Sequence, residues 1–394
     1  MGIKKDFFYI ILLSFISIIN SLVEIPLQSI EIEGVSKYGE YKIAEPAKNL
    51  NGDYGQKIFI DQGNSILTTN RLYVTTVKVG SQNQIFNLLL DTGSFILWVP
   101  KKNGAHKYQK EHYYDPTVST TSVKTNLPMN IKYGSGSCSG FFFRDKLNYL
   151  KNRQFQMLFG VSFKSDFGVV GADGIIGLGH IYENEQLSFI HMLKKGKVTE
   201  SLLFSLKFGS DPVHTKVGKL IIGKHEDFSK KNVVTAPLIT GLKHWACKIN
   251  SFSIQNPLGI VNSKRSYGII FDTGTNSILL PLQYYKDLTN NIKKLNCYFK
   301  DSSGKQQYQL ACTNINNLPD FRFEINGSIL IVPKIYTFYR GKDNIYYSKV
   351  IFSEREIYII GTPFFLAFHT LFDKTNEKLH FYPENDSFLL KKTN

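Results

Sequence analysis

The chain has 394 residues, of which 42% are hydrophobic and 20% charged, so it can bury a sizeable core and is not intrinsically disordered. At roughly 100–200 residues per domain, this length corresponds to two or three domains or to two large lobes. The net charge is +15, mostly from scattered lysines, and no zinc-finger, ribonucleoprotein or helix-turn-helix pattern accompanies it. We therefore expect a solvated basic surface and no nucleic-acid partner.

The first 63 residues predict two segments that precede the main folded body. Lys4 and Lys5 are followed by an apolar run, Phe7–Ile19, which has the length of a signal-peptide core and is short for a membrane span. Residues 1–22 are therefore predicted to be a signal peptide, with an uncleaved anchor as the alternative. Residues 23–63 are polar, broken by Gly and Pro, and propeptide-like, although they are not strongly basic. No later segment is long enough to span a bilayer, so no stable membrane span is expected after signal removal.

The rest of the chain predicts mainly β structure. Aromatic residues make up 14% of the chain, and short β-branched or aromatic runs alternate with Gly-containing turns. The first predicted strands are Leu72–Val79 and Ile85–Leu90, and the best helical stretches are Glu185–Lys195 and Leu282–Lys294.

An internal repeat organises this β-rich region. Leu88–Pro100 reads LLLDTGSFILWVP, and Ile269–Pro281 reads IIFDTGTNSILLP. Each copy is followed, at nearly the same distance, by an apolar-apolar-Gly echo, at Ile175–Gly177 and Ile359–Gly361. Two elements that recur in order at similar spacing predict two similar lobes. We place these lobes at residues 64–240 and 241–394.

In each copy of the repeat, an apolar strand delivers an aspartate, Asp91 or Asp272, to a tight turn. A buried carboxylate needs hydrogen-bond donors, because an unpaired charge away from water is costly. The glycine of each turn lets backbone N–H groups approach, and each threonine is placed to reach the opposite turn. The predicted supporting residues are Thr92, Gly93, Ser94, Thr273, Gly274 and Thr275.

Two such turns that meet would hold two carboxyl groups side by side. Because like charges this close do not both ionise easily, one proton is shared, and one carboxyl acts as a base while the other acts as an acid. The base takes a proton from a water between them, and the water attacks a carbonyl that is hydrogen-bonded to the acid. This chemistry needs no cofactor, metal or covalent intermediate. A two-carboxylate glycoside hydrolase is a rival interpretation, but it gives no reason for twin Asp-Thr-Gly turns.

These motifs resemble those of the pepsin-like aspartic proteases, and among them the plasmepsins of malaria parasites. The similarity runs from about Leu72 to Tyr382. It implies a bilobal fold of two pseudo-symmetric β-rich lobes, with the active site in the cleft between them. It also implies an aspartic endopeptidase, with Asp91 and Asp272 as the catalytic pair and a protein or peptide as substrate.

The resemblance extends to a flap that closes over bound peptide. Tyr133, Gly134 and Ser135, in IKYGSGSCSG, match the tip of that β-hairpin, and Trp98 matches the residue that braces the flap tyrosine. A glycine-rich hairpin suits a flap, because it can move and can donate backbone hydrogen bonds to an extended substrate.

The resemblance also assigns three apolar residues to substrate pockets. Phe159 and Ile175 match residues that line the pocket before the scissile bond, and Ile270 matches one that lines the pocket after it. Cleavage between hydrophobic residues is therefore expected.

The four cysteines permit two disulfides, and the absence of a CxxC pair argues against zinc. Cys297 and Cys312 form a plausible local bridge, which also matches the disulfide of the family's second lobe. Cys138 and Cys247 are either a long-range pair or two free buried thiols, and the sequence leaves both open.

The sequence departs from the family pattern at several positions. The segment Lys101–Lys110 lacks the common cysteine loop, Asn276 stands where Ser is usual, and Thr362 stands where Asp is common. Asn326 and Asn385 fit the glycosylation pattern, which is common by chance.

The expected setting is the secretory pathway, either outside the cell or in an acidic vesicle or vacuole, and the expected state is a monomer. A strongly basic chain repels itself in strong acid, so we expect activity in mild acid. The alternative is a catalytically silent peptide-binding protein of the same fold, against which both intact Asp-Thr-Gly units argue.

Overall fold

The computed structural model describes residues 23–31, 60–61, 64–65, 71–133, 136–149, 154–167, 171–180, 185–209, 218–301, 306–341, 343–354 and 358–391. The predicted signal peptide lies outside these residues, and so do Gly134 and Ser135 of the predicted flap tip. Within the described part of the chain, no helix has the length and apolar character that a membrane crossing requires.

Strands dominate the described residues and are numbered in chain order. The strands of the first half are β1 (Val23–Glu31), β2 (Ile60–Asp61), β3 (Asn64–Ser65), β4 (Arg71–Val79), β5 (Gln84–Asp91), β6 (Trp98–His106), β7 (Val123–Tyr133), β8 (Gly136–Asn148), β9 (Gln154–Ser165), β10 (Gly174–Gly177), β11 (Leu203–Phe208), β12 (Gly218–Ile222) and β13 (Val234–Pro237). Those of the second half are β14 (Ala246–Ile249), β15 (Ser251–Asn256), β16 (Gly259–Ser263), β17 (Tyr267–Phe271), β18 (Ile278–Pro281), β19 (Cys297–Asp301), β20 (Tyr308–Cys312), β21 (Asp320–Ile325), β22 (Ser328–Val332), β23 (Phe338–Arg340), β24 (Tyr346–Ser353), β25 (Ile359–Ile360), β26 (Phe368–Asp373), β27 (Lys378–Pro383) and β28 (Leu389–Lys391).

The helices are short. The α-helices are α1 (Phe189–Lys195), α2 (Leu282–Leu288), α3 (Lys334–Thr337) and α4 (Thr362–Ala367). Single 3₁₀ turns are found at Pro116–Val118, Glu185–Leu187, Glu226–Ser229, Ile292–Leu295, Ile315–Asn317 and Asp386–Phe388. Both predicted helical stretches are helical, but each is split into an α-helix and a 3₁₀ turn.

The strands form two β-rich lobes that share one long sheet. The order of this sheet is β13-β27-β26-β11-β12-β1-β4-β5-β10-β6-β9-β8-β7. The second lobe adds one sheet built on β14-β17-β25-β18-β24-β20-β19, with β23 paired to β24, and a five-stranded sheet β16-β15-β21-β22-β28. The fold is therefore mainly β and bilobal, and β26 and β27 of the second half complete a sheet that begins in the first.

The internal repeat corresponds to one strand arrangement that occurs twice. In the first lobe, β10 lies parallel to β5 and antiparallel to β6, with Ile175 paired to Trp98. In the second lobe, β25 lies parallel to β17 and antiparallel to β18, with Ile359 paired to Leu279. Each apolar-apolar-Gly echo thus separates the strand that leads into the aspartate turn from the strand that follows it.

Strand β1 belongs to the predicted propeptide-like segment, yet it lies inside the long sheet. Its first five residues pair with β12 and its last four with β4. Leu27, at its centre, is fully buried in the main hydrophobic core. Because β4 also pairs with β5, this strand lies two positions from the one that carries Asp91.

Candidate active site

Two aspartate turns meet at the interface between the lobes. Asp91 ends β5 and Asp272 directly follows β17, and their side chains are only 6% and 9% exposed. The Gly93 N–H donates to Oδ1 of Asp91 at 2.9 Å, and the Gly274 N–H donates to Oδ1 of Asp272 at 2.8 Å. The Thr275 hydroxyl donates to Oδ2 of Asp272 at 2.6 Å. Each buried carboxyl therefore has the backbone donor that its turn was predicted to supply.

Thr92 and Thr273 hold the two turns together. The Thr92 hydroxyl donates to the carbonyl of Phe271 at 2.8 Å and accepts the Thr273 N–H at 3.0 Å. The Thr273 hydroxyl donates to the carbonyl of Leu90 at 2.8 Å and accepts the Thr92 N–H at 3.2 Å. These four reciprocal bonds are buried and fix the relative position of the two aspartates.

The two glycines permit a close approach of the carboxyl groups. A methyl group placed on the Gly274 Cα would lie 2.6 Å from Oδ1 of Asp91 and 3.2 Å from Oδ1 of Asp272. A methyl group on Gly93 would lie 2.5 Å from Cγ of Asp272. Side chains larger than hydrogen would therefore collide with the carboxyl of the opposite lobe, and both carboxyls border the same small space.

The burial and close approach of the two carboxyl groups change the pKa of Asp91. Burial, followed by the negative charge of Asp272, raises the pKa of Asp91 well above its usual range, and the Ser94 hydroxyl and the Gly93 N–H oppose this only in part. A proton is therefore retained on the pair at pH values where a free aspartate would be ionised. Such a pair can offer one acidic and one basic oxygen to a water molecule and a carbonyl group.

Tyr133 ends the first strand of the predicted flap hairpin and contacts two aromatic residues. The Trp98 indole N–H donates to the Tyr133 hydroxyl at 2.8 Å, as the bracing role requires. The ring of Phe167 lies 5.5 Å from that of Trp98 and 6.1 Å from that of Tyr133, measured between centroids. Burial raises the pKa of Tyr133 far above its usual value, so its hydroxyl stays protonated and remains a hydrogen-bond donor.

The structure brings one of the two residues predicted for the first pocket to this cluster and not the other. Ile175 is buried in the same small hydrophobic cluster as Trp98 and Phe167. Phe159 is fully buried in the main core, with its ring 5.6 Å from that of Tyr114. Its assignment to a pocket is therefore wrong, because its side chain lies on the core face of β9. Ile270, two residues before Asp272, is partly exposed.

Phe167 was missed because no local pattern separates it from the other phenylalanines near β9. Lys110 is an exception to the expected solvated lysine surface, because it is only 6% exposed. Its Nζ lies 4.8 Å from the Phe167 ring centroid. Asp173, just before β10, is 1% exposed and accepts hydrogen bonds from the backbone of Asn87 and His112. Each of these residues contacts residues that are distant from it in sequence, so a local pattern does not reveal it.

His244 is a further residue that the motifs did not reveal. Its ring centroid lies 5.0 Å from that of Phe95, in the loop after the first aspartate turn. Burial lowers the pKa of His244, although the charge of Asp272 and a hydrogen bond to the Gly93 backbone oppose the shift. A histidine that resists protonation therefore borders the two carboxyl groups.

The four cysteines form one disulfide and two free thiols. Cys297 and Cys312 are disulfide-bonded and pair directly across β19 and β20. Cys138 and Cys247 are both free and buried. Of the departures from the family pattern, Thr362 donates its N–H to the carbonyl of Thr275 at 2.8 Å and so connects the second echo to the second aspartate turn.

The comparisons with known proteins agree with this geometry. The family model "Eukaryotic aspartyl protease" matches residues 72–383. Gastricsin of Cavia porcellus is 27% identical, over 78% of this chain and 79% of that protein. Cathepsin D of Gallus gallus is 26% identical, over 78% of this chain and 80% of that protein. A crystal structure of an aspartic proteinase from Irpex lacteus has the same fold, with a TM-score of 0.63 at 19% identity, covering 92% of this chain and 97% of that one. The chain therefore belongs to the eukaryotic aspartyl protease family, and it is an aspartic-type endopeptidase.

Proposed function

We propose that the chain cleaves peptide bonds between hydrophobic residues by means of a water molecule held between Asp91 and Asp272. The observation that carries this proposal is the position of the two carboxyls: Oδ1 of each lies within 3.2 Å of one point beside Gly274. Because both Oδ1 atoms border this point, the two carboxyls are close enough for one water molecule to contact both of them. One carboxyl could then deprotonate the water while the other donates to the substrate carbonyl.

The hydrogen-bond donors around each carboxyl indicate which aspartate acts as the base and which as the acid. Asp272 accepts from the Gly274 N–H and from the Thr275 hydroxyl, and donors of this kind stabilise a negative charge. Asp91 has a raised pKa because it is buried and faces Asp272. In this proposal Asp272 is the base that takes the proton of the water, and Asp91 is the acid that hydrogen-bonds the carbonyl oxygen.

The apolar side chains that line the site support the proposed substrate class. Tyr133, Trp98, Phe167 and Ile175 form an aromatic and aliphatic cluster. Burial raises the pKa of Tyr133, and Tyr133 is close enough to the dyad for the charge of Asp91 to raise this pKa further. An extended peptide in the cleft, covered by the flap, would place an apolar side chain against this cluster. We also propose a plasmepsin-like member of the family, on the strength of the quoted motifs and a composition rich in Lys, Asn, Ile and Tyr.

The proposed setting is a mildly acidic compartment of the secretory pathway. It rests on the apolar run after Lys4 and Lys5 and on relatives such as cathepsin D and vacuolar protease A. In this scheme residues 1–22 are removed as a signal peptide, residues 23–63 are processed, and residues 64–240 and 241–394 are the two lobes. An activity optimum at about pH 2 would contradict it, because a chain of net charge +15 repels itself further as its carboxylates are protonated.

A peptide-library assay from about pH 3 to 7, on the full chain after proteolytic maturation, tests the activity. We expect cleavage between hydrophobic residues and a loss of about 10²- to 10⁴-fold in kcat for Asp91→Asn and for Asp272→Asn. Asp301→Asn, at an exposed aspartate that ends β19, is the matched control and should retain full activity.

The same assay separates the proposal from a silent binding protein. Wild-type protein that binds a statine-type peptide but cleaves no library member would support the binding protein. Cleavage that survives in both aspartate variants would remove the dyad from the mechanism.

A further inference from the structure

Lys110 is a buried cation behind the aromatic cluster of the flap. Its side chain is 6% exposed, and its Nζ donates to the carbonyl of Ala172 at 3.1 Å. The same Nζ lies 4.8 Å from the ring centroid of Phe167. An ammonium over a ring face and out of water is held by the ring's quadrupole more strongly than it would be at an exposed site.

Asp173 is the negative charge that acts on Lys110, but its oxygens already accept other hydrogen bonds. They accept the backbone N–H groups of Asn87, Glu111 and His112 at 2.8, 3.1 and 3.0 Å. The Nδ1 of His112 also lies 2.9 Å from Oδ2 of Asp173. The carboxylate therefore acts on Lys110 at a distance, and the Ala172 carbonyl and the Phe167 ring are the described groups that meet the ammonium directly.

Phe167 connects this cation to the catalytic site. Its ring stands edge-on to that of Trp98, with an interplanar angle of 83°, and is tilted by 52° against that of Tyr133. Trp98 in turn donates to the Tyr133 hydroxyl. A shift of the Phe167 ring would therefore disturb both partners of that hydrogen bond.

We propose that Lys110 is a positioning residue for the flap, whose ammonium holds Phe167 against Trp98 and Tyr133 and so sets the orientation of Tyr133 over the dyad. This inference rests on the proposed function, because it gives the flap a role in peptide cleavage. No step of the chemistry passes through Lys110.

The proposal has a pH signature. Burial lowers the pKa of Lys110 to about 8, while Asp173 opposes the shift. Loss of the proton removes the charge that faces Phe167, so the aromatic cluster should relax at about that pH. The titratable groups around the cluster include His106, Tyr113, His112 and Asp173 near Lys110, Asp166, Cys138 and Lys107 in the flap region, and Tyr133 itself with Asp91 close to it. The pKa of Cys138 is raised to about 12 by burial, and that of Tyr133 is raised well above 10, so neither thiol nor phenol loses its proton at pH 8.

The first test follows tryptophan fluorescence from about pH 6 to 10 in the inactive Asp91→Asn background, so that the protein does not digest itself. We expect a transition at about pH 8. It should be absent in Trp98→Phe, which identifies the reporter, and absent in Lys110→Met, which keeps the length of the side chain without its charge. Lys78→Met removes an exposed lysine and should leave the transition unchanged.

The second test measures peptide cleavage in mild acid. Lys110→Met should lower kcat/KM by about three- to tenfold, chiefly through KM, because the flap contacts bound substrate before the chemical step. Lys110→Arg keeps a cation and should recover most of the loss. If Lys110→Met does not fold, Phe167→Leu removes the ring face, keeps an apolar side chain and should also abolish the transition.

An unchanged transition in a folded Lys110→Met or Phe167→Leu variant would overturn the proposal. So would an Arg variant as impaired as the Met variant, since shape alone would then explain the effect. A wild-type protein that cleaves nothing would refute the proposed function, whereas the fluorescence transition would still report on the link from Lys110 to Trp98.

Discussion

A buried charge cluster on the sheet shared by the lobes should make the fold sensitive to acid. Nδ1 of His369, on β26, lies 3.0 Å from Oδ2 of Asp227, and its Nε2 lies 2.9 Å from the Ser205 hydroxyl on β11. Lys230 donates to the other oxygen of Asp227 at 2.6 Å, and Lys207 lies 3.4 Å from Oδ2. His369 and Ser205 are fully buried, so this Ser-His-Asp arrangement has no access for a substrate and serves to join the strands.

The size of the change in unfolding free energy follows from the pKa of His369. Burial lowers it from 6.5 to about 4, and the bond to Asp227 offsets only part of that shift. Between these two pH values the unfolded chain binds a proton at this side chain and the folded chain does not. Acidification through this window therefore favours unfolding, by about 3 kcal/mol at 1.36 kcal/mol per pH unit. The pKa of Asp227 is held far below its usual value by His369 and the lysines, so its own contribution is lost only at lower pH.

The assay is denaturant unfolding of wild type and His369→Gln from about pH 7 to 4 at constant ionic strength. Other groups titrate in this range, so the informative quantity is the difference in unfolding free energy between the two proteins. We expect the advantage of the wild type to shrink by about 3 kcal/mol on acidification. His106→Gln, at a half-exposed histidine of the first lobe, should change this dependence much less. A difference that stays constant across the range would refute the reasoning.

Three further predictions concern the two lobes. Thr92→Val loses two buried hydrogen bonds across the interface and should lower the unfolding free energy by about 2–4 kcal/mol, measured by denaturant titration, whereas an unchanged midpoint would contradict the bracing role. Gly274→Ala places a methyl group 2.6 Å from Oδ1 of Asp91 and should lower kcat by about 100-fold in a peptide assay with a smaller effect on melting temperature; wild-type kcat would show that the turns have room to separate. Replacing Cys297 and Cys312 together by Ser opens a loop of 15 residues and should cost about 3 kcal/mol of stability, and equal stability of the two proteins would argue that the strand pair suffices.

The repeat made the catalytic geometry predictable from the sequence. Two Asp-Thr-Gly units with matching echoes indicated two lobes, and each threonine stood where it could reach the other turn. The structure places those hydroxyls in reciprocal bonds between Thr92 and Thr273, because two related strands end at one interface. A local sequence pattern was enough to predict this geometry because the same pattern occurs twice and the two copies lie at one interface.

The contacts between unlike segments could not be predicted in this way. Phe159 and Phe167 lie in one aromatic-rich stretch, and which of them faces the cleft depends on strand register, which the sequence does not reveal. The burial of Lys110 depends on Phe167 and Ala172, residues far along the chain. His369 and Asp227 are separated by 142 residues, and neither stands in a motif.

The place of β1 has a consequence for maturation. A cut after residue 63 would break the chain without removing this strand, because β1 is hydrogen-bonded to β12 on one side and to β4 on the other. The severed piece would stay as a noncovalent insert, and its release would open a gap in the sheet that another segment must fill. Native and denaturing mass measurements of the processed enzyme should therefore differ by the mass of this insert for as long as it is retained.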